Sequence, residues 1–432
     1  MAASTPAARA SVQFDLKFVV VISSLMGVAA LIHGNPVAAM WFGFALAAYS
    51  AIANDTIQTL GTFIASNPKS TWVWQWLFMG GIFVATTVIS FVLYDGDVSH
   101  ERLTSRSWEK APTSFTFLQL AAPIILLVLT RLKMPVSTSF LLLSCFADSS
   151  KGIVAMTLKS VGGYGIAFVT AIVIWFVFEP MMTRRFKGPV KRGWYIAQWI
   201  ATGFLWSVWL MQDMANIAVF LPRSLSLVQL AIFTGVIFFA LGFLFRQRGE
   251  AIQEVVDEKE NVSDVRSATI IVFVYGLILY FFKVISKIPM STTWVFIGLL
   301  AGRELAFAIR RRRQAGATTT KEAGVMIFRD LVKVLIGFVV SLILAVMIND
   351  HVRDAVVGTT PCRTECRATF TTATKACKND MKAAKAACEA KGGSKESVAT
   401  CVKAANQVRI ACRDAARQAR TQCLSDCDKA SQ

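Results

Sequence analysis

Ile52-Ala53-Asn54-Asp55-Thr56-Ile57-Gln58-Thr59 lies in the middle of an apolar run over 37–66, and Met211-Gln212-Asp213-Met214-Ala215-Asn216-Ile217-Ala218 in the middle of another over 194–222. A helix needs about 20 mostly apolar residues to cross a bilayer, and both runs have them. Each nevertheless holds one Asp among carboxamides at a depth where an ionised carboxylate costs roughly 2.5–3.5 kcal/mol. One such segment is equally well explained by a helix–helix hydrogen bond. Two would need the same accident twice, and an Asp flanked by carboxamides can share a coordinated cation or line a cavity.

A second pair accompanies the first. Met134-Pro135-Val136-Ser137-Thr138-Ser139 opens one apolar run, and Ile288-Pro289-Met290-Ser291-Thr292-Thr293 opens another. Proline suits the first turn of a helix, and hydroxyls just beyond it serve free backbone ends. A helix that begins inside the membrane points unpaired N–H groups at a cavity, which favours an anion; a single copy would read as a surface cap. The two Asp residues lie 158 positions apart and the two Pro residues 154, so both halves keep one order and one spacing. Five crossings counted between the Asp residues make the halves enter the bilayer with opposite sense. A duplicated, inverted unit with interrupted helices is the plan of a secondary transporter.

The whole chain agrees. Of 432 residues, 55% are hydrophobic and 17% charged, against roughly 45–50% and about 25% in soluble domains. Mean hydropathy is +0.53. A disordered chain, a collagen-like chain and a soluble nucleotide enzyme are excluded, and no motif argues for an enzyme. The fold class expected is an all-α polytopic membrane protein, an inverted-repeat secondary transporter with interrupted helices, plus a C-terminal disulfide-linked α-hairpin. Crossings are expected near 16–33, 37–66, 71–94, 113–130, 135–158, 161–179, 194–222, 227–245, 268–285, 288–309 and 325–348. The first, behind Arg9 and Lys17, reads as an uncleaved helix rather than a signal peptide. Gly162-Gly163-Tyr164-Gly165 reads as a turn between helices, and Gly298-Leu299-Leu300-Ala301-Gly302 as a helix-packing GxxxG.

Loop charge sets orientation. Arg184, Arg185, Lys187, Lys191 and Arg192 share one loop and Arg310 to Arg313 another, so both are expected in the cytoplasm. The acid-rich loop 246–266 falls on the same side. The expected organisation is a cytoplasmic N-terminus (1–15), a first membrane repeat (16–180), a basic cytoplasmic loop (181–193), a second repeat (194–348), a linker (349–361) and an extracytoplasmic tail (362–432), in a bacterial inner membrane. Asp148, Lys151, Lys159, Lys283, Arg303, Glu304, Arg329, Asp330 and Lys333 are expected to snorkel or pair. Arg223 is the single cation picked out to attract an anion. His33, His100 and His351 have no metal-like spacing.

The tail holds eight of the nine cysteines: Cys362, Cys366, Cys377, Cys388, Cys401, Cys412, Cys423 and Cys427. Their gaps, 4, 11, 11, 13, 11, 11 and 4, form a palindrome centred beside Gly392-Gly393-Ser394. On a helix a gap of 4 drifts about 40° and a gap of 11 about 20°, so each arm keeps its cysteines on one stripe. Mirror symmetry selects nested pairs, Cys362–Cys427, Cys366–Cys423, Cys377–Cys412 and Cys388–Cys401, from the 105 connectivities available. No C-x₂-C pair and no histidine supports a metal site instead. Disulfides need an oxidising compartment. With 14 Lys/Arg and 7 Asp/Glu, residues 361–432 are net +7; this reads as a solvated cap, or as a docking arm for an acidic extracytoplasmic partner, and not as a nucleic-acid binder.

The four membrane motifs resemble those of the inorganic phosphate transporters of the PiT type, whose signature GANDVANA occurs once per half, each followed by a P-[IV]-S-T-T-H element. Residues 52–59 resemble the first signature and 211–218 the second, over about 37–310. Here Gln212 stands for the signature Asn, Gln58 for its later Asn, and Phe140 and Trp294 for the two His. The resemblance implies a cation site at Asn54, Asp55, Gln212, Asp213 and Asn216, with sodium at Asp55 and Asp213. It implies phosphate contacts from Ser137, Thr138, Ser139, Ser291, Thr292, Thr293 and Gln58. It also implies a homodimer in a lipid bilayer, no cofactor beyond a sodium ion or proton as coupling ion, and symport of phosphate by alternating access. Sulfate or another oxyanion is the alternative substrate. A receptor or scaffold derived from a transporter, with the hairpin as its working part, is the alternative class.

Overall fold

A computed structural model describes residues 16–67, 70–104, 107–132, 134, 136–185, 189–246, 265–310, 320–356, 361–390 and 395–430. The chain divides into two compact units, Met1–Val352 and Arg353–Gln432. Lys187, Arg311 to Arg313, the loop 247–264, Pro135 and Gly392-Gly393-Ser394 lie outside the described residues.

The first unit is helical throughout its described elements. They are α1 (Leu16–Ile32), α2 (Pro36–Thr59), α3 (Gly61–Ser66), α4 (Trp72–Leu93), α5 (Phe117–Arg131), α6 (Ser150–Arg185), α7 (Arg192–Ala218), α8 (Leu227–Arg246), α9 (Val265–Ile285), α10 (Thr292–Arg310) and α11 (Thr320–Ile348). A π turn (Ser139–Leu143) and a 3-10 turn (Ser144–Phe146) stand between α5 and α6. Seven helices, α2, α4, α6, α8, α9, α10 and α11, are long and apolar enough to cross a bilayer. On α11 Phe328, Leu335, Val339, Ile343 and Met347 form one exposed stripe; in water this would be an aggregation surface, whereas hydrocarbon covers it without cost. The chain is therefore a multi-pass, all-α membrane protein.

The two halves repeat one neighbour relation. The helix carrying the first Asp, α2, packs on α5, and the helix carrying the second, α7, packs on α9. Beyond each Pro-Ser-Thr segment, α10 packs along α6 and the π turn packs on α11.

One expectation is corrected. The crossings read at 135–158 and 161–179 are instead the short broken segment Ser139–Phe146 followed by a single 36-residue helix, α6. Gly162-Gly163-Tyr164-Gly165 is helix interior, not a turn. Membrane helices tolerate glycine well, and here it serves packing: a Cβ on Gly163 would meet the Met290 side chain at 2.7 Å and Val295 at 2.9 Å. Eleven separate crossings are thus not found, and the crossing count no longer fixes the sense of either half or the side of the tail. The GxxxG reading holds, since a Cβ on Gly298 would lie 2.4 Å from the Tyr164 carbonyl oxygen and one on Gly302 2.2 Å from that of Phe168.

Broken backbone at membrane depth must find partners within the protein. At the first break Trp108 Nε1 donates to the Leu143 carbonyl (2.9 Å), Asn349 Nδ2 to those of Ser144 (2.8 Å) and Ala147 (2.9 Å), and Gln119 Nε2 to that of Cys145 (3.3 Å).

The second unit contains α13 (Pro361–Ala390) and α14 (Lys395–Ala430), preceded by the short α12 (Asp350–Val356). Cys362–Cys427, Cys366–Cys423, Cys377–Cys412 and Cys388–Cys401 join α13 to α14, each with Cα atoms 5.9 Å apart. These are the nested rungs that the palindrome requires. Buried Asp354 accepts from Arg363 at 2.8 Å and pairs with Arg367 at 3.1 Å, and the Arg420 guanidinium lies over the Phe370 ring.

Candidate cation and oxyanion site

The Asp residues reach each other through the first Pro-Ser-Thr segment. Asn54 Nδ2 donates to Asp55 Oδ1 (2.8 Å) and to the Val136 carbonyl (2.8 Å), which fixes α2 against the break. Thr130 Oγ1 donates to Asn54 Oδ1 (3.2 Å). Thr138 Oγ1 donates to Asp55 Oδ2 (3.0 Å) and accepts from Asn216 Nδ2 (2.9 Å), which also donates to Asp213 Oδ1 (2.8 Å). Ser139 Oγ lies 3.3 Å from Asp213 Oδ1 and 3.0 Å from the Met290 carbonyl, so it joins the first segment to the second. One connected network thus contains residues from all four sequence motifs, every one of them buried.

The second half contributes acceptors that the protein leaves open. Gln212 Nε2 donates to the Leu279 carbonyl (2.9 Å), but Gln212 Oε1 and Asn216 Oδ1 have no hydrogen-bond partner among the described residues. Thr292 lies beside Asp213, and its carbonyl accepts from the Tyr275 hydroxyl (3.1 Å). A buried polar atom without a partner costs about 1–3 kcal/mol. Buried carboxamide and carboxylate oxygens on this short stretch of α7 are of the type that a hard cation takes.

Other expected residues have local duties. Ser137 Oγ accepts from the Phe140 N–H (3.3 Å) and Ser291 Oγ from the Trp294 N–H (3.3 Å), so both cap the turn they begin. Thr293 is buried. The side chain of Gln58 lies outside the described residues, although its backbone is in α2. Phe140 and Trp294 pack against each other at 5.6 Å and both against Phe338, an apolar contact. Arg223 is committed elsewhere. Its guanidinium donates to the carbonyls of Trp108 (2.9 Å), Lys110 (2.7 Å), Leu221 (2.8 Å) and Val219 (3.2 Å), and burial pushes it down to about 10. It ties loops together rather than facing the network.

Two cations that sequence reasoning did not select do face it. Arg102, in the loop after α4, is 1% exposed; its Nε donates to the Met211 carbonyl (3.3 Å) and its Nη1 to the carbonyls of Ser286 and Ile288. Lys159 Nζ, on α6, donates to the same two carbonyls at 3.1 Å and 2.7 Å. Nothing in the sequence near Arg102 marks it, since polar residues around it read as an ordinary loop. Of the two outcomes expected for it, snorkelling or pairing, Lys159 pairs, with backbone carbonyls at the second break.

No family model matches the sequence, and no curated protein matches it. Among solved structures, one described as "The sodium-dependent phosphate transporter" is similar at 16% identity, with 72% of this chain and 96% of that chain covered and a TM-score of 0.48.

Proposed function

We propose that the protein is a cation-coupled symporter of an inorganic oxyanion, with phosphate the first candidate and sodium the favoured coupling ion. The observation that carries this reading is the pair of unpartnered buried acceptors, Gln212 Oε1 and Asn216 Oδ1, on either side of Asp213 within a network that also holds Asp55. Two carboxylates this deep cost several kcal/mol each unless a positive charge joins them. Coupling follows from that cost. A cation entering between Asp55 and Asp213 removes the repulsion that an arriving anion would meet, so anion binding is favourable only after the cation is in place. Thr138, Ser139 and Thr292 then offer hydroxyls that bridge cation and anion. Movement of one half against the other exposes the loaded site on the far side. The disulfide ladder supports an extracytoplasmic tail, since such bonds persist in oxidising compartments.

The test uses the full chain in proteoliposomes, with uptake of labelled phosphate driven by an imposed sodium gradient or pH gradient and challenged by sulfate. Saturable uptake that needs sodium, and that Asp213→Asn abolishes, is the expected result. Binding without flux would leave the membrane unit as a receptor, and full gradient-driven uptake by Asp213→Asn would remove Asp213 from the coupling.

A further inference from the structure

The two breaks in the membrane unit are satisfied by different chemistry. At the first, the carbonyls of residues 143–147 take N–H groups from Trp108, Asn349 and Gln119, all neutral. At the second, the carbonyls of Ser286 and Ile288 take the guanidinium of Arg102 and the ammonium of Lys159. Neutral donors suffice for the same task in the same protein, so capping carbonyls does not account for two charges.

The charges are also crowded. Both groups donate to the same two oxygens, and each feels the other's positive charge. Lys159 is bonded to carbonyls alone, and no carboxylate pairs with it among the described residues. A half-buried ammonium held on neutral carbonyls beside a guanidinium is costly, whereas Arg102 also faces the carboxylate of Asp213. An anion shared between them reverses that cost, because hydrogen bonds from charged donors to an anion are about twice as strong as neutral ones.

Their position ties them to the network. Ser160, next to Lys159, accepts from the Ser291 N–H at 2.8 Å, so two consecutive residues of α6 hold both sides of Pro289. Arg102 also donates to the Met211 carbonyl, one residue before Gln212, and interacts electrostatically with Asp213.

We propose that Lys159 and Arg102 form an oxyanion subsite at the Ser286–Ile288 edge of the network. There a tetrahedral, multiply charged oxyanion takes over the ammonium and guanidinium donors from the two carbonyls. The proposal deepens the symport reading by naming the cations that recognise its anion. Displacement of two carbonyls at once selects phosphate or sulfate over chloride, since a compact monovalent ion does not span both donors.

The experiment labels Lys159 in the full chain in proteoliposomes with a small amine-acylating reagent, and follows the modified peptide by mass spectrometry. Saturating inorganic phosphate or sulfate is expected to slow labelling at Lys159 several-fold, with chloride at matched ionic strength giving no protection. In uptake, Lys159→Met is expected to raise the half-saturating phosphate concentration on the order of tenfold at unchanged half-saturating sodium, and Lys159→Arg to restore it. Protection of Lys159 without gradient-driven flux supports the subsite and defeats the transport reading. Flux with no protection, or wild-type phosphate affinity in Lys159→Met, overturns the subsite and leaves transport standing.

Discussion

Thr138 is the residue through which the halves are joined, because its single hydroxyl donates to Asp55 and accepts from Asn216. Thr138→Val keeps the shape and removes both bonds, leaving a buried carboxylate and a buried amide each short of a partner. A cost of about 1–3 kcal/mol on the ordered network predicts roughly a tenfold or greater rise in the half-saturating sodium concentration, read from the sodium dependence of phosphate uptake. An unchanged sodium curve would remove Thr138 from the cation site. His100 gives a prediction of a different kind. It lies in the loop after α4, outside the spanning helices, 5% exposed, with no partner for Nε2 among the described residues. Burial above all, then the nearby Lys283 and Arg102, lowers its imidazole to about 4. The fold therefore binds fewer protons than the unfolded chain, which titrates near 6.5. Its contribution is intact above about pH 6.5 and is lost as pH falls through about 4. Thermal stability in detergent should drop across that window, and His100→Asn, which suits the positive φ of 52° at this position, should flatten the drop. An equal drop in both proteins would assign it to other groups. At this scale the two Asp motifs were legible because repetition at one spacing is improbable by chance. Arg102 was not, because burial of a loop charge is decided by what packs over it.

Helices were legible as apolar runs, and breaks within them were not. Ser139–Phe146 and α6 share one apolar stretch, and glycines at 162, 163 and 165 suggested an end where the helix continues. The same residue type has two environments here, and substitution separates them. Gly302 on α10 faces backbone, with the Phe168 carbonyl oxygen 2.2 Å from any added Cβ, whereas Gly162 on α6 has open space. Backbone cannot move aside as a side chain can, so Gly302→Ala should force α6 and α10 apart at a cost of roughly 1–3 kcal/mol. Gly162→Ala should be neutral or slightly stabilising, because alanine is the better helix former by about 1 kcal/mol. Thermal melts of both variants in one detergent check this, and equal melting temperatures would mean that the α6–α10 contact is looser than described.

At the scale of the molecule, the hairpin was legible almost completely, because cysteine spacing on a helix leaves few ways to pair, whereas the crossing count misled. An extracytoplasmic hairpin is therefore proposed from the disulfides alone. On intact cells, a membrane-impermeant phosphine followed by an impermeant maleimide should label tail cysteines, while buried Cys145 stays protected. Labelling that requires permeabilised cells would put the tail in the cytoplasm. The ladder also predicts unequal rungs. Cys362–Cys427 stands only four residues beyond its neighbour Cys366–Cys423 on each arm, so losing it frees little chain. Cys377–Cys412 stands eleven residues from the rungs on either side, and its loss merges two closed loops into one about twice as long. Each closure is worth about 2–4 kcal/mol, and among the described residues of the hairpin the buried cluster to fall back on is small, Cys366, Leu424 and Cys427. Replacing both members of a pair with serine avoids stray thiols. Cys362→Ser with Cys427→Ser should then leave trypsin resistance near wild type, whereas Cys377→Ser with Cys412→Ser should open cleavage at Lys375, Lys378 and Lys382. Equal protease sensitivity in the two variants would mean that helix packing, rather than the cross-links, holds the middle of the hairpin.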